Sequence, residues 1–195
     1  MLGSIKYNLA NLANFNGRDA RQTFWYYVLF LVVIQFGAGI IAAIPMYSQI
    51  FSSAFNGAQS GMSEQQMQAM MFAQMGDSLR TQVWVSAAIG VVMTLLLIAA
   101  FVRRLHDAGY PGLIVLVPVA TYLFSLAYNI SNIDNVLAAM EAAAATENPQ
   151  QALSMQGQMV GAGLVSWIGI IVVIVFGVMK SQAGPNKYGD APVRY

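Results

Sequence analysis

The sequence predicts an all-α, polytopic membrane protein with four transmembrane helices, both termini in the cytoplasm and helical extensions on the other side. Three observations carry the prediction. Four runs, at about residues 24–44, 83–102, 113–130 and 160–179, hold no Asp, Glu, Lys, Arg or His; as helices they are roughly 27–31 Å long, the thickness of a hydrocarbon core. Charged residues make up 9% of the chain, against about 25% in an ordinary soluble domain, so a soluble fold would leave too much carbon in water. Finally, the cations are unevenly divided. Lys6, Arg18, Arg21, Arg103, Arg104, Lys180, Lys187 and Arg194 fall on one side of the four runs, and only Arg80 on the other. The positive-inside rule places the first side in the cytoplasm. Residues 1–195 are read as a single four-helix membrane domain, with outer loops at 45–82 and 131–159.

The elements follow in order. Ile5, Leu9 and Leu12 fall at helical spacing, which predicts a short amphipathic helix on the membrane surface. Asn16-Gly17 signals a turn. The first run opens with Phe24-Trp25-Tyr26-Tyr27, the aromatic belt of a lipid–water boundary. It exceeds the ~7–15 residues of a signal-peptide apolar core and is read as a retained anchor. Pro118 in the third run predicts a kink whose freed carbonyl a neighbouring helix or Thr121 must satisfy.

The outer loops are predicted to be helical. Ser63-Glu64-Gln65-Gln66 is a capping-box pattern, followed by Met67, Met70, Met71 and Met75 at helical spacing. Asn148 suits an N-cap and Pro149 the first helical position. With Met62, these methionines could present thioethers to a soft ion such as Cu(I), but methionine more often fills apolar gaps. No resident metal or cofactor is expected. The tail after Met179 reads as turn and loop.

Between the second and third runs lies the polar stretch Arg103-Arg104-Leu105-His106-Asp107-Ala108-Gly109-Tyr110-Pro111-Gly112, which holds the only histidine. Arg103 and Arg104 suit the C-terminal end of a helix, Asp107-Ala108-Gly109 its termination, and Tyr110-Pro111-Gly112 a type II turn. His106 is left without a structural role. Adjacent His and Asp side chains rarely meet on a helix, which argues against a catalytic dyad. Arg18, Arg21 and Trp25 share one helical face, so an arginine over the Trp25 indole is an allowed cation–π pair.

The runs carry only mild polar groups (Gln35, Thr94, Thr121, Ser125, Asn129 and Ser166) and none of the ionisable residues that mark ion-coupled transport. Gly157 and Gly161, with Gly163 beside them, form a GxxxG face for close helix contact. There is no cysteine, no phosphate-binding glycine loop, and no nucleophile-elbow or zinc-protease motif.

Phe15-Asn16-Gly17-Arg18 with Arg21 and Phe24-Trp25, then Arg103-Arg104-Leu105-His106-Asp107 with Gly109, then Gly184-Pro185-Asn186-Lys187-Tyr188-Gly189 with Pro192, resemble a family of small bacterial inner-membrane proteins, domain-of-unknown-function family 805. The resemblance covers the cytoplasmic half. It departs at Leu113, where the family commonly has tryptophan after the hairpin glycine. It implies a bacterial cytoplasmic-membrane location and a four-helix body, and no reaction.

The expected function is a non-enzymatic assembly, regulatory or envelope-adaptation factor, with no catalytic residues and no nucleic-acid partner. Its cytoplasmic face would gather Arg18, Arg21, Trp25, Arg103, Arg104, His106, Asp107, Gly109, Asn186, Tyr188 and Gly189 into one site. The expected partners are membrane lipids, anionic ones included, a second copy in a homo-oligomer, or another membrane protein. A small channel or transporter lined by Gln35, Thr121, Ser125 and Asn129 is the alternative, and a lipid-modifying enzyme using His106 and Asp107 the second alternative.

Overall fold

The structure is a computed structural model that describes residues 1–145 and 149–192; within its helices, the side chains of 64–65, 68–69, 71–75, 77, 139–145 and 149–163 are outside the description. The described residues are helical, without strands. In order they form α1 (Leu2–Ala10), α2 (Arg21–Gln59), α3 (Glu64–Asp107), a 3-10 turn (Gly112–Val115), α4 (Leu116–Ala145) and α5 (Pro149–Val178). Among the described residues, three segments are long and apolar enough to cross a membrane: Arg21–Gln59, Ser78–Asp107 and Gly112–Ala138. Only 11%, 22% and 6% of their most apolar windows are buried, so most of their carbon faces outward, as in a multi-pass membrane protein. The fourth expected run lies in α5, whose side chains are described from Leu164 onward; that part, Leu164–Val178, is apolar but shorter than a span.

Long helices, not loops, fill the expected outer segments. α2 continues through Pro45 to Gln59, and Ser48 donates to the Pro45 carbonyl at 2.8 Å. The next turn uses Gly61 at φ +63°. The capping box forms as expected, with Ser63 N–H donating to Gln66 Oε1 at 3.1 Å and Gln66 N–H to Ser63 Oγ at 3.3 Å. The Asn148 cap, the side chains of Met71 and Met75, and the surroundings of Gly157, Gly161 and Gly163 lie outside the described residues.

Three local expectations are corrected. Pro118 sits in the first turn of α4, where an N–H has no helical partner anyway, so it starts the helix and does not kink it. Gly112 does not take the positive φ of a type II turn; Gly109 does, at +87°. The turn is a Schellman motif, with Gly109 N–H donating to His106 O at 3.1 Å and Tyr110 N–H to Leu105 O at 2.9 Å. On α1 the buried face is Ser4, Ile5 and Asn8, while Leu9 is exposed. Its inner contacts are polar because they serve an arginine described below.

Contacts divide the chain into two compact units. Unit 1 comprises Met1–Gly37, Ile89–Phe124 and Val165–Tyr195; unit 2 comprises Ala38–Ala88 and Ser125–Leu164. The core of unit 1 is Phe24, Tyr27, Leu31, Ala100, Phe101 and Leu105. Small residues let its helices close up. A Cβ at Gly177 would stand 2.8 Å from the Trp25 ring, and one at Gly169 would stand 3.0 Å from Pro118 Cα. In unit 2, Met67 packs over Gly57, and Arg80 pairs with Asp134 at 2.8 Å across an exposed surface, a contact worth at most about 1 kcal/mol.

Candidate functional site

In unit 1 the beginning of α2 meets the ends of α3 and α5, and all eleven sequence-predicted residues lie in that region. Three arginines and two aspartates are buried together there: the side chains of Arg18, Arg103, Arg104 and Asp107 are 0% exposed and that of Asp19 is 1%. Such burial is tolerable only where each charge is paired and hydrogen-bonded.

Each arginine holds a different segment. Arg103 closes the N-terminal segment onto α3. Its Nε reaches Asp19 Oδ1 at 3.1 Å, Nη1 donates to the Asn11 and Asn14 carbonyls, and Nη2 donates to Asn8 Oδ1 at 2.6 Å. The Tyr7 ring lies 5.5 Å from its guanidinium. Arg18 holds the tail: it meets Asp107 Oδ1 at 3.1 Å and donates to the Gln182, Gly184 and Gly189 carbonyls at 2.7, 2.6 and 3.4 Å. Arg104 closes α5, donating to the Gly177 carbonyl at 3.2 Å, the Met179 carbonyl and Asp107 Oδ2. Asp107 therefore accepts from Arg18 and Arg104, and Ser181 Oγ adds a further bond.

Three cations against two anions leave one positive charge unpaired by a carboxylate. Two helix C-termini, each a partial negative charge, point into the cluster and answer it. The last four carbonyls of α3, which have no helical partner, all accept: Arg104 O from Ala108, Leu105 O from Tyr110, His106 O from Gly109 and from Asn186 Nδ2, and Asp107 O from Gln182. At the end of α5, Gly177 O accepts from Trp25 Nε1 at 3.0 Å as well as from Arg104. Val178 O lies 3.5 Å from Arg21 Nη1. Trp25 thus carries no arginine over its ring; its indole N–H caps a helix, and the ring contact goes to Phe24, edge-on at 5.6 Å.

His106, without a role in the sequence, acquires one. Its ring stacks on Tyr188 with centroids 3.8 Å apart and planes within 6°. Nδ1 lies 3.3 Å from the Gly17 carbonyl; a carbonyl only accepts, so the network assigns the proton to Nδ1. Asn186 fixes the loop beneath the ring by donating to the His106 carbonyl and accepting from Tyr188 N–H. Burial pushes the Asp19 carboxyl above its usual range, and the Arg103 ion pair and the Tyr7 hydrogen bond pull it back only partly.

Asn8, Asp19, Ser181 and Gln182 were not among the predicted site residues. Asp19 could have been found as the acid nearest Arg18 in an otherwise acid-poor N-terminal segment; the other three carry no pattern of their own. Arg21, Lys180 and Lys187 remain exposed around the cluster, with Lys187 Nζ 4.9 Å from the Tyr188 ring centroid. Among the described residues no group of three His, Cys, Asp or Glu is placed to hold a metal ion. Two of the four residues predicted to line a channel bond to their own helix: Thr121 Oγ donates to the Val117 and Pro118 carbonyls and Asn129 Nδ2 to the Ser125 carbonyl.

Neither the curated proteins nor the solved structures contain a significant match to the chain. A family model, described as a protein of unknown function (DUF805), matches residues 12–190, which takes in every arginine and aspartate of the buried cluster. The chain belongs to that family.

Proposed function

We propose that this is a non-enzymatic, four-span protein of the bacterial cytoplasmic membrane whose cytoplasmic face binds anionic lipid head groups and presents a rigid platform for assembly or regulation. One observation carries the reading. The buried cluster ties residues 8–19, the α3 hairpin and the tail into one end of unit 1, and it leaves Arg21, Lys180 and Lys187 as exposed cations on that end. The three buried arginines, in this reading, build the platform, and the exposed Arg21, Lys180 and Lys187 meet the lipid. Orientation follows the charge asymmetry. The outward carbon of the spans leaves room for a second copy, which extends the proposal to a homo-oligomer.

The test extracts the protein in mild detergent from a membrane of mixed phosphatidylglycerol and phosphatidylcholine and quantifies the retained lipids. A cation close to an anionic surface contributes about 1 kcal/mol. Replacing Arg21, Lys180 and Lys187 with glutamine should therefore erase enrichment of phosphatidylglycerol, at about fivefold per charge, while insertion and melting stay unchanged. Equal enrichment in wild type and variant contradicts the head-group reading.

A further inference from the structure

Unit 1 contains a half-open cavity of about 430 Å³ bounded by α2, α3, α4 and α5. It falls within the ~300–1,000 Å³ of small-molecule sites. Trp25, Val28, Phe101, Val119 and Val173 are among its walls, and its hydroxyls are limited to Thr94, Thr121, Tyr122 and Ser166. Thr121 already donates to two carbonyls of its own helix. Water needs two to four polar partners to be held in such a space, and an unfilled one forfeits dispersion contacts on every wall. The chemistry that fits is hydrocarbon.

Shape and surroundings narrow the occupant. The cavity runs along α2 from Trp25 to Val32 and along α5 from Ile174 to Ser166, about 10–12 Å of helix rise. That is somewhat less than half of a ~30 Å hydrocarbon core, so one leaflet's chain suffices to fill it. Arg21 lies one turn beyond Trp25 on the same face of α2. Its guanidinium is 3.5 Å from the Val178 carbonyl, and Lys180 is exposed just past that point. An apolar slot therefore ends near two cations and a tryptophan. We propose that the cavity takes an acyl chain of a glycerophospholipid whose phosphate lies toward Arg21 and Lys180. This rests on the lipid-binding reading of the same end of unit 1 and adds a chain site to it.

The experiment uses the full chain with Trp84→Phe and Trp167→Phe, both exposed positions, which leaves Trp25 as the sole tryptophan. It is reconstituted into vesicles with a small fraction of acyl-brominated phosphatidylglycerol or phosphatidylcholine, bromine being a contact quencher. The expected result is quenching of Trp25 that, at a fixed brominated fraction, falls several-fold in Val28→Phe and in Val119→Phe, each of which fills the cavity from a different helix. If one of these fails to fold, the other still decides. Quenching that is equally strong in the filled variants overturns the proposal. Quenching that is lost in the filled variants but is of equal strength for the two lipids supports the chain site and contradicts head-group selection, so the two readings fail separately.

Discussion

A guanidinium offers five N–H donors in a fixed planar fork, and at Arg18, Arg103 and Arg104 that fork is answered mostly by backbone carbonyls. This explains why the residues were legible and their roles were not. In a chain that is 9% charged, buried arginines and aspartates stand out by type. Their partners at Asn11, Asn14, Gly177 and Gly184 are carbonyls positioned by loop shape, which no side chain announces. Two substitutions separate the acids. Asp107→Asn leaves Arg18 and Arg104 without a counter-charge and should cost about 3–5 kcal/mol, read from denaturation in mixed micelles. Asp19→Asn should cost less, because burial already works against the ionised form there. The pH dependence has a definite sign. With its folded value raised above 3.8, Asp19 holds its proton to higher pH folded than unfolded. Its contribution is therefore fully present below about pH 4 and is lost as pH rises through the raised value. Asp19→Asn should flatten that limb of the stability–pH curve; an unchanged limb contradicts the assignment.

At the scale of the element, the α3 end shows what a pattern of glycines can and cannot say. Pro111-Gly112 suggested the turn, but the left-handed residue is Gly109, because α3 continues through Asp107 and its carbonyls must be capped there. Choosing between the two glycines needed the helix boundary, which pattern alone places only to within a few residues. Gly109→Ala costs about 1–2 kcal/mol for a side chain in the left-handed region, and its Cβ would have to push the Gln182 side-chain amide aside. The variant should melt earlier and expose the tail to protease at 180–190, whereas Gly37→Ala, with open space around its Cβ, should do neither. The capping box at Ser63 was fully legible, since both of its bonds are local in sequence. Pro118 was misread for the same reason as the turn: its meaning depends on whether α4 begins just before it.

For the whole molecule, hydrophobic runs and the scarcity of charge anticipated the helical class and its apolar spans, because a bilayer imposes length and composition directly on the sequence. The division into two compact units was not legible, since α2 to α5 each contribute to both and no linker marks a boundary. Nor was the convergence of three distant segments on one buried cluster, which depends on contacts 70 to 170 residues apart, such as Arg18 with Gln182 and Arg104 with Gly177. Arg103–Asp19 on one side and Arg18–Asp107–Arg104 on the other hold the N-terminal segment and the tail independently. Hydrogen–deuterium exchange of Asp107→Asn in lipid nanodiscs tests this most directly. Amides 180–190 should lose protection while residues 8–14 keep theirs; unchanged protection across 180–190 would overturn the independent hold.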